Sequence, residues 1–543
     1  MKTQPLDSTY SLFRSAKHFF SGTFLSRLSG MARDISITFA FGTTPEIAAF
    51  LLAFRLAHLF RRLFGEGALH SAFVPLFEDE RSQGNSAAYR FFLHTQSGIA
   101  TALLLLITLI IAGLGSAWAW LPLSRDIQEI IWLTLLMMPS LLFICLYGLN
   151  SAFLNCEKQY FVPGIAPVAF NLIWIISALW LHSAVPTQAM HYLAISVILG
   201  CLFQWAVTIP SIYSIFKKEQ LAFTWSMLTP NFGSMRKFIK PLAWGIIGIA
   251  ASQINNTLDV LFARYAHVEG PAYLWYAIRL QQLPLALFGI SLAGALLPPL
   301  TRSIKESQPH VFFDLLKFSL EKTFALMIPL SCALLALSGS SINLLYGRGL
   351  FTNNSTYETT LCLWGYGFGL LPMALILILA AVFYAQKNYR IPMFSSILSM
   401  LLNLVLNAAM VGIFEWGSAS IAIATSISAW VNLLYLLLAL PKHIYAQILQ
   451  ALKLPFFKIL GASSLALCCT SLFTHFVFQE MNVFSFLSQN HELSFPRDFS
   501  MQCLHFGVQL GCFLATLAAA SWLCRSHEIL GLFHRPIQQS IKI

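Results

Sequence analysis

The stretch "AFRLAHLFRRLFGEGALHSAFVPLF", Ala53 to Phe77, is apolar enough to cross a membrane, yet it holds Arg55, Arg61, Arg62 and Glu66. A spanning helix needs about 20 mostly apolar residues. A charge near its centre costs about 2.5 kcal/mol or more on insertion scales, so charges placed there should face a polar cavity rather than lipid. His58, Arg62 and Glu66 stand four apart and share one helical face, and Arg55 and Arg62, seven apart, share it too.

The rest of the chain places this stretch in a membrane. Of 543 residues, 57% are hydrophobic and only 10% charged, and the mean hydropathy is +0.69. A soluble chain carries about a quarter charged residues. The pattern predicts an all-α polytopic membrane protein of about fourteen spans, the first two near 17–42 and 46–77 and the last near 501–524. The net charge of +11 could suit nucleic acid, but the basic residues sit in short loops between apolar runs, so topology accounts for them and no nucleic-acid partner is expected. Loops on one side collect most of the Lys and Arg, including Lys217, Lys218, Arg236, Lys237 and Lys240, while the opposite loops hold Arg125, Arg264, Arg348 and Arg497. That bias, with an even number of spans, predicts that both termini are cytoplasmic. The ten cysteines are scattered without a CxxC pair or Cys/His ligand spacing, which reads as small buried residues rather than disulfides or a metal centre. The N-terminus lacks a long apolar core and a small-residue cleavage site, so no cleaved signal peptide is expected and the first helix would serve for targeting.

The opening stretch also recurs. It aligns without gaps with "AIRLQQLPLALFGISLAGALLPPLT", Ala277 to Thr301, at an offset of 224. Ala53, Arg55, Leu56, Leu63, Phe64, Gly65 and Pro75 return as Ala277, Arg279, Leu280, Leu287, Phe288, Gly289 and Pro299. "EKQYFVP" (Glu157 to Pro163) returns as "QKNYRIP" (Gln386 to Pro392) at an offset of 229. This offset covers six helices, and an even-numbered repeat keeps its orientation, giving two pseudo-symmetric lobes related about the membrane normal. The expected organisation is an N-lobe over 1–217, a C-lobe over 218–442, and two further helices with the C-terminal tail over 443–543.

Buried charges concentrate in the first lobe. "LSRLSGMARD" supplies Arg27, Arg33 and Asp34, the next helix supplies Arg55, Arg61, Arg62 and Glu66, and the second lobe adds Arg279. Each guanidinium is permanently charged and offers a planar fork that suits phosphate. Asp34 and Glu66 partly neutralise the set, which lowers the cost of leaving it empty. The pattern points to an anionic headgroup in a cavity. Interhelical salt bridges and snorkelling anchors use the same residue types. A second polar set comprises Asp259, Asn403, Asn407 and Thr425, with Asn403 and Asn407 on one helical face. One carboxylate with amide and hydroxyl oxygens suits a monovalent cation such as Na+; interhelical hydrogen bonding serves these residues equally well.

The pieces "SGTFLSRLSGMARD", "AFRLAHLFRRLFGEGALHSAFVP", "SAFLNCEKQYFVP", "WYAIRLQQLPLALFGISLAGALLP" and "FYAQKNYRIP" resemble the MurJ (MviN) family of lipid II flippases, within the multidrug/oligosaccharidyl-lipid/polysaccharide exporter superfamily. The resemblance covers nearly the whole chain. It implies two six-helix lobes around a central cationic cavity and a groove for the polyprenyl tail on the last two helices. It carries headgroup binding onto Arg27, Arg33, Asp34, Arg61, Arg62, Glu66 and Arg279, and a sodium site onto Asp259, Asn403, Asn407 and Thr425. Three positions depart from the family pattern, with Ala48, Ile278 and Asn407 standing where the family has acidic residues; the last removes a charge from the sodium site. The implied activity is translocation of lipid II, an undecaprenyl-diphosphate-linked muropeptide, from the cytoplasmic to the periplasmic face of the bacterial inner membrane by a monomeric, multi-pass transporter bathed in membrane lipids. The alternatives are export of another polyprenyl-diphosphate-linked saccharide, or drug export by a relative in the same superfamily. A drug exporter should have an acidic, aromatic cavity, and an enzyme acting on polyprenyl phosphates should carry a DDxxD-like cluster. Neither is found, so no catalytic residue and no cofactor beyond a possible Na+ is expected.

Overall fold

The computed structural model describes residues 9–61, 68–219, 253–478, 495–524, 526 and 529, with side chains throughout except at 9–21, 23, 60–61 and 68–72. Among these residues every regular element is a helix. That is what a bilayer demands, because a helix satisfies its backbone polar groups within one segment. The chain divides into two compact units, Met1–Thr257 and Leu258–Ile543.

The first unit contains α1 (Thr9–Phe41), α2 (Pro45–Arg61), α3 (Ala68–Arg81), α4 (Asn85–Trp120), α5 (Arg125–Met137), α6 (Ser140–Cys156), α7 (Phe161–Leu181), α8 (Pro186–Ala206) and α9 (Ile209–Lys218). Helix α1 packs on α7, α7 on α8, α6 on α8, α2 on α5, and α3 on both α4 and α6. The α5–α6 pair bends by 43° at Pro139, which lacks the amide needed to continue the helix. A polar chain crosses the unit, with Gln96 Nε2 donating to Asn150 Oδ1 at 3.2 Å and Asn150 Nδ2 to Thr208 Oγ1 at 2.7 Å. Its counterparts in the second unit at the repeat offsets are Leu320 and Leu379, both buried in an apolar core.

A helix over 253–266, α10, spans the division between the units. The second unit continues with α11 (Gly270–Pro284), a π-helical segment (Leu285–Ile290), α12 (Ser291–Lys305), α13 (Pro309–Ala336), α14 (Ser338–Tyr346), α15 (Asn353–Ala385), α16 (Arg390–Gly412), α17 (Ala419–Leu438), α18 (Lys442–Val477) and α19 (Phe499–Leu523). Helices α15 and α17 pack closely. A Cβ at Gly365 would lie 2.8 Å from the Ala422 Cβ, and one at Gly369 would lie 3.1 Å from the Ser426 Cα. Two small residues one turn apart bring the backbones together, as in membrane helix pairs generally. Ser426 Oγ then donates to Gly365 O at 2.6 Å.

The repeat is visible in each unit. Helices α3 and α12 end 224 residues apart, and α4 and α13 begin 224 apart. The turns after α6 and α15 match in detail. Lys158 and Lys387 both have φ of 58°, and Gln159 N and Asn388 N reach back to Leu154 O and Phe383 O at 2.8 and 2.9 Å. Both are Schellman closures with lysine in the left-handed position usually taken by glycine. One asymmetry stands out: where α4 runs on unbroken, the second unit splits at Leu337 into α13 and α14, and α14 contacts α19.

Ten helices are long and apolar enough to span a bilayer, or eleven if the bent α5–α6 pair is one span. The count of fourteen is therefore not reached among the described residues. Helix α1 is 33 residues long but carries Arg14, Lys17, Arg27, Arg33 and Asp34. The expected span near 46–77 runs through 62–67, and the apolar run over 238–266, read from the sequence as another span, runs through 238–252; both stretches lie outside the described residues.

Candidate anionic-headgroup and cation sites

Arg33 lies on α1, where it is 8% exposed. Its Nε and Nη2 donate to Asp34 Oδ1 at 3.0 and 2.8 Å, and its Nη1 donates to Asn171 Oδ1 on α7 at 3.1 Å. The guanidinium also lies 4.8 Å from the centre of the Trp174 ring, a favourable cation–π placement. Asn171 is held in turn, its Nδ2 donating to Ser29 Oγ at 2.9 Å and Ser26 O at 3.3 Å. This close α1–α7 approach needs small residues, since a Cβ at Gly22 would sit 3.0 Å from Phe161 O. Trp174 continues the cluster to α2: its ring is 4.9 Å from Phe54, which stacks at 3.9 Å on buried His58. The ring Nδ1 of His58 lies 3.0 Å from Phe54 O.

The remaining predicted headgroup residues are distributed unevenly. Arg27 is exposed and Arg55 is half-buried on α2. The Arg61 side chain, Arg62 and Glu66 lie outside the described residues. In the second unit, half-buried Arg279 stacks over Trp275, one turn back on α11, at 4.4 Å. Gln281 pins α11 to α15 by donating to Tyr366 O at 2.9 Å. The π-helical segment begins six residues after Arg279.

Asn171 and Trp174 are absent from the sequence-based set. The available signal was the single Asn in the apolar run "FVPGIAPVAFNLIWIISALWL", since polar side chains inside spans are expensive and carry roles.

The four predicted cation-site residues converge in the second unit. Asn407 Nδ2 donates to Asp259 Oδ1 at 2.8 Å and to Asn403 Oδ1 at 3.0 Å. Thr425 Oγ1 donates to Asp259 Oδ2 at 3.4 Å and accepts from Asn403 Nδ2 at 3.3 Å. Asp259, Asn403 and Asn407 are all buried. One carboxylate, two amide oxygens and a hydroxyl form a hard-oxygen set that fits a monovalent cation. In the arrangement seen, one Asn407 amide N–H and the Thr425 hydroxyl already occupy the carboxylate oxygens. No group of three or more His, Cys, Asp or Glu able to hold a metal occurs among the described residues.

Two duplicated helical units, each with a buried carboxylate in a polar cluster, build a multi-pass helical protein with the fold of solved multidrug exporters. A solved inward-facing MATE-family multidrug resistance transporter of the MOP superfamily matches 79% of this chain and 96% of its own at a TM-score of 0.63 and 14% identity. The chain belongs to the lipid II flippase MurJ family, whose model matches residues 37–492. A relative from Chlamydia pneumoniae, described as a probable lipid II flippase MurJ, is 32% identical over 532 residues, covering 97% of this chain and 95% of its own. A solved lipid II flippase MurJ in an inward closed conformation matches 93% of this chain and 98% of its own at a TM-score of 0.72 and 23% identity.

Proposed function

We propose that this protein is a transporter that moves lipid II across the bacterial inner membrane, from the cytoplasmic to the outer face, by alternating exposure of a cationic cavity. The observation that carries this reading is the family match across residues 37–492. The chemistry agrees with it. Arginine forks at Arg27, Arg33, Arg55, Arg61, Arg62 and Arg279 suit the diphosphate of a polyprenyl-linked sugar. Asp34 and Glu66 offset their charge. Translocation makes and breaks no covalent bond, so the protein acts without catalytic residues. The expected lobes, 1–217 and 218–442 with 443–543 appended, would rock as bodies about the cavity, as a parallel repeat favours. The protein works as a monomer, and the basic loops put both termini in the cytoplasm.

The direct test is lipid II accessibility at the outer face of cells depleted of the native flippase and expressing this chain. Wild-type protein should restore exposure and growth. Arg279→Ala should abolish both while reaching the membrane in normal amount. A wild-type chain that leaves lipid II inside would refute the reading.

Sodium, if coupled, would be held by Asp259, Asn403, Asn407 and Thr425. With Asn407 neutral, the site has one formal charge, and fewer charged ligands generally mean weaker cation binding. Fixed positive charge in the cavity responds to membrane potential at about 2.3 kcal/mol per elementary charge per 100 mV. In vesicles, collapsing the potential should therefore slow transport more than removing sodium. The opposite ranking, together with loss of activity in Asp259→Asn, would make sodium the main driver.

A further inference from the structure

At the end of α3 remote from the arginine-rich stretch, Arg81 ties the helix to its neighbours. Its guanidinium donates to Glu157, which directly follows α6, to Glu78 Oε1 at 3.1 Å, and to Cys156 O at 3.3 Å. It also lies 4.9 Å over the Phe77 ring. Alongside, Asn85 at the start of α4 donates to Glu219 Oε2, just past α9, at 3.2 Å. The floor is aromatic: Phe77 meets Phe153 edge-on at 5.5 Å, and Phe153 stacks on Phe92 at 4.3 Å and on Phe216 at 5.9 Å. The Arg81 and Glu157 side chains are only 22% and 18% exposed. Such a charge-assisted pair is stronger than one in open solvent. At the repeat offsets, the second unit has Lys305 and Gln386 in these places, and a neutral glutamine cannot complete an ion pair. The clasp is thus a property of the first unit, whose α3 starts two residues after Glu66.

We propose that Arg81 and Glu157 are positioning residues, a clasp that anchors the end of α3 to the turn after α6, and that protonating Glu157 loosens the clasp and slows transport. The inference rests on the flippase reading for its transport measurement only. Burial holds the Glu157 carboxyl above the ordinary carboxylate range; Arg81 and a hydrogen bond from Tyr89 pull it down, while Glu219 and Glu78 push it further up. The groups facing it are therefore Arg81 and Glu78 from α3, Tyr89 from α4 and Glu219 beyond α9. A carboxyl whose pKa is raised on folding binds its proton more readily in the folded than in the unfolded chain. Its contribution to stability is fully present at low pH and is lost as pH rises through the folded value. Lowering the pH through that value stabilises the fold through this group even as it weakens the ion pair. A fall in transport there is therefore not the result of this group destabilising the fold.

The test uses the full chain purified into phosphatidylglycerol/phosphatidylethanolamine vesicles containing lipid II. Arg81→Glu and Glu157→Arg should each speed backbone hydrogen exchange across the last turns of α3 by about tenfold, as loss of a charge-assisted bond predicts. Each should slow transport by a similar factor, and the double reversal should restore both. Glu157→Gln should be slow at neutral pH and flat where the wild type declines as the pH is lowered through the raised Glu157 value. A double reversal no better than either single variant, or a Glu157→Gln variant with the wild-type pH profile, would overturn the proposal. If wild-type protein moves no lipid II, the flippase reading fails, and hydrogen exchange alone decides the clasp.

Discussion

Replacing Arg33 with alanine should abolish transport and cost about 3–5 kcal/mol of fold stability, the penalty for leaving one half of a buried ion pair behind. The Arg33 guanidinium supplies two bonds to Asp34 and one to Asn171, and it fills space against Trp174. Thermal unfolding in detergent, read beside outer-face lipid II exposure, measures both effects. Arg33→Met with Asp34→Asn should recover much of the stability, because the stranded charge is gone, yet remain inactive. An Arg33→Ala protein that melts with the wild type would show that the ion pair contributes nothing to the fold. Arg33→Lys keeps the charge but cannot hold Asp34 and Asn171 with one planar fork, and should fall between the two.

The second large effect is steric. Gly365→Leu should drive α15 from α17, because even a Cβ there lies 2.8 Å from the Ala422 Cβ and 3.0 Å from the Ile423 amide nitrogen. Overpacking a tight core costs about 1–3 kcal/mol when side chains can adjust, and a backbone contact leaves less room for adjustment. We expect strongly reduced protein in the membrane and loss of the Ser426 to Gly365 hydrogen bond. The control lies two residues away. A Cβ at Gly367 meets Leu335 at 3.5 Å, ordinary contact distance, so Gly367→Ala should be accepted. Equal behaviour of Gly365→Leu and Gly367→Ala would mean that the α15–α17 approach is looser than described.

The repeat offsets of 224 and 229 were legible in the sequence and return as matched helix ends and matched left-handed turns, the turns sharing Lys158/Lys387, Tyr160/Tyr389 and Pro163/Pro392. The convergence of Asp259, Asn403, Asn407 and Thr425 was legible too, since Asn403 and Asn407 share a helical face and a buried carboxylate needs partners. The Arg33–Asp34 pair was harder to see. Adjacent residues on a helix point about 100° apart, and only the long arginine stem lets the guanidinium return to its neighbour's carboxylate. The clamp from α7 through Asn171 and Trp174 lies 138 and more residues away, beyond the reach of any periodicity. The break at Leu337 is followed by Ser338-Gly339-Ser340 and the π-helical segment follows Pro284, breaker residues that mark both places in the sequence without saying which irregularity they produce.

The unbroken run of α4 has a consequence for how the molecule meets its solvent. At 36 residues it is about 54 Å long, well beyond a hydrocarbon core of about 30 Å. Its Leu104, Leu105 and Leu109 are 52–70% exposed. Its counterpart α13 instead carries α18 along its flank. The outward leucines of α4 are left to the surrounding solvent, while part of the flank of α13 is covered by a helix of its own chain. Thinning the bilayer acts on α4 directly, which can answer by tilting. The flank of α13 is insulated by side chains that cannot diffuse away. The same membrane deformation therefore loads α4 and α13 unequally.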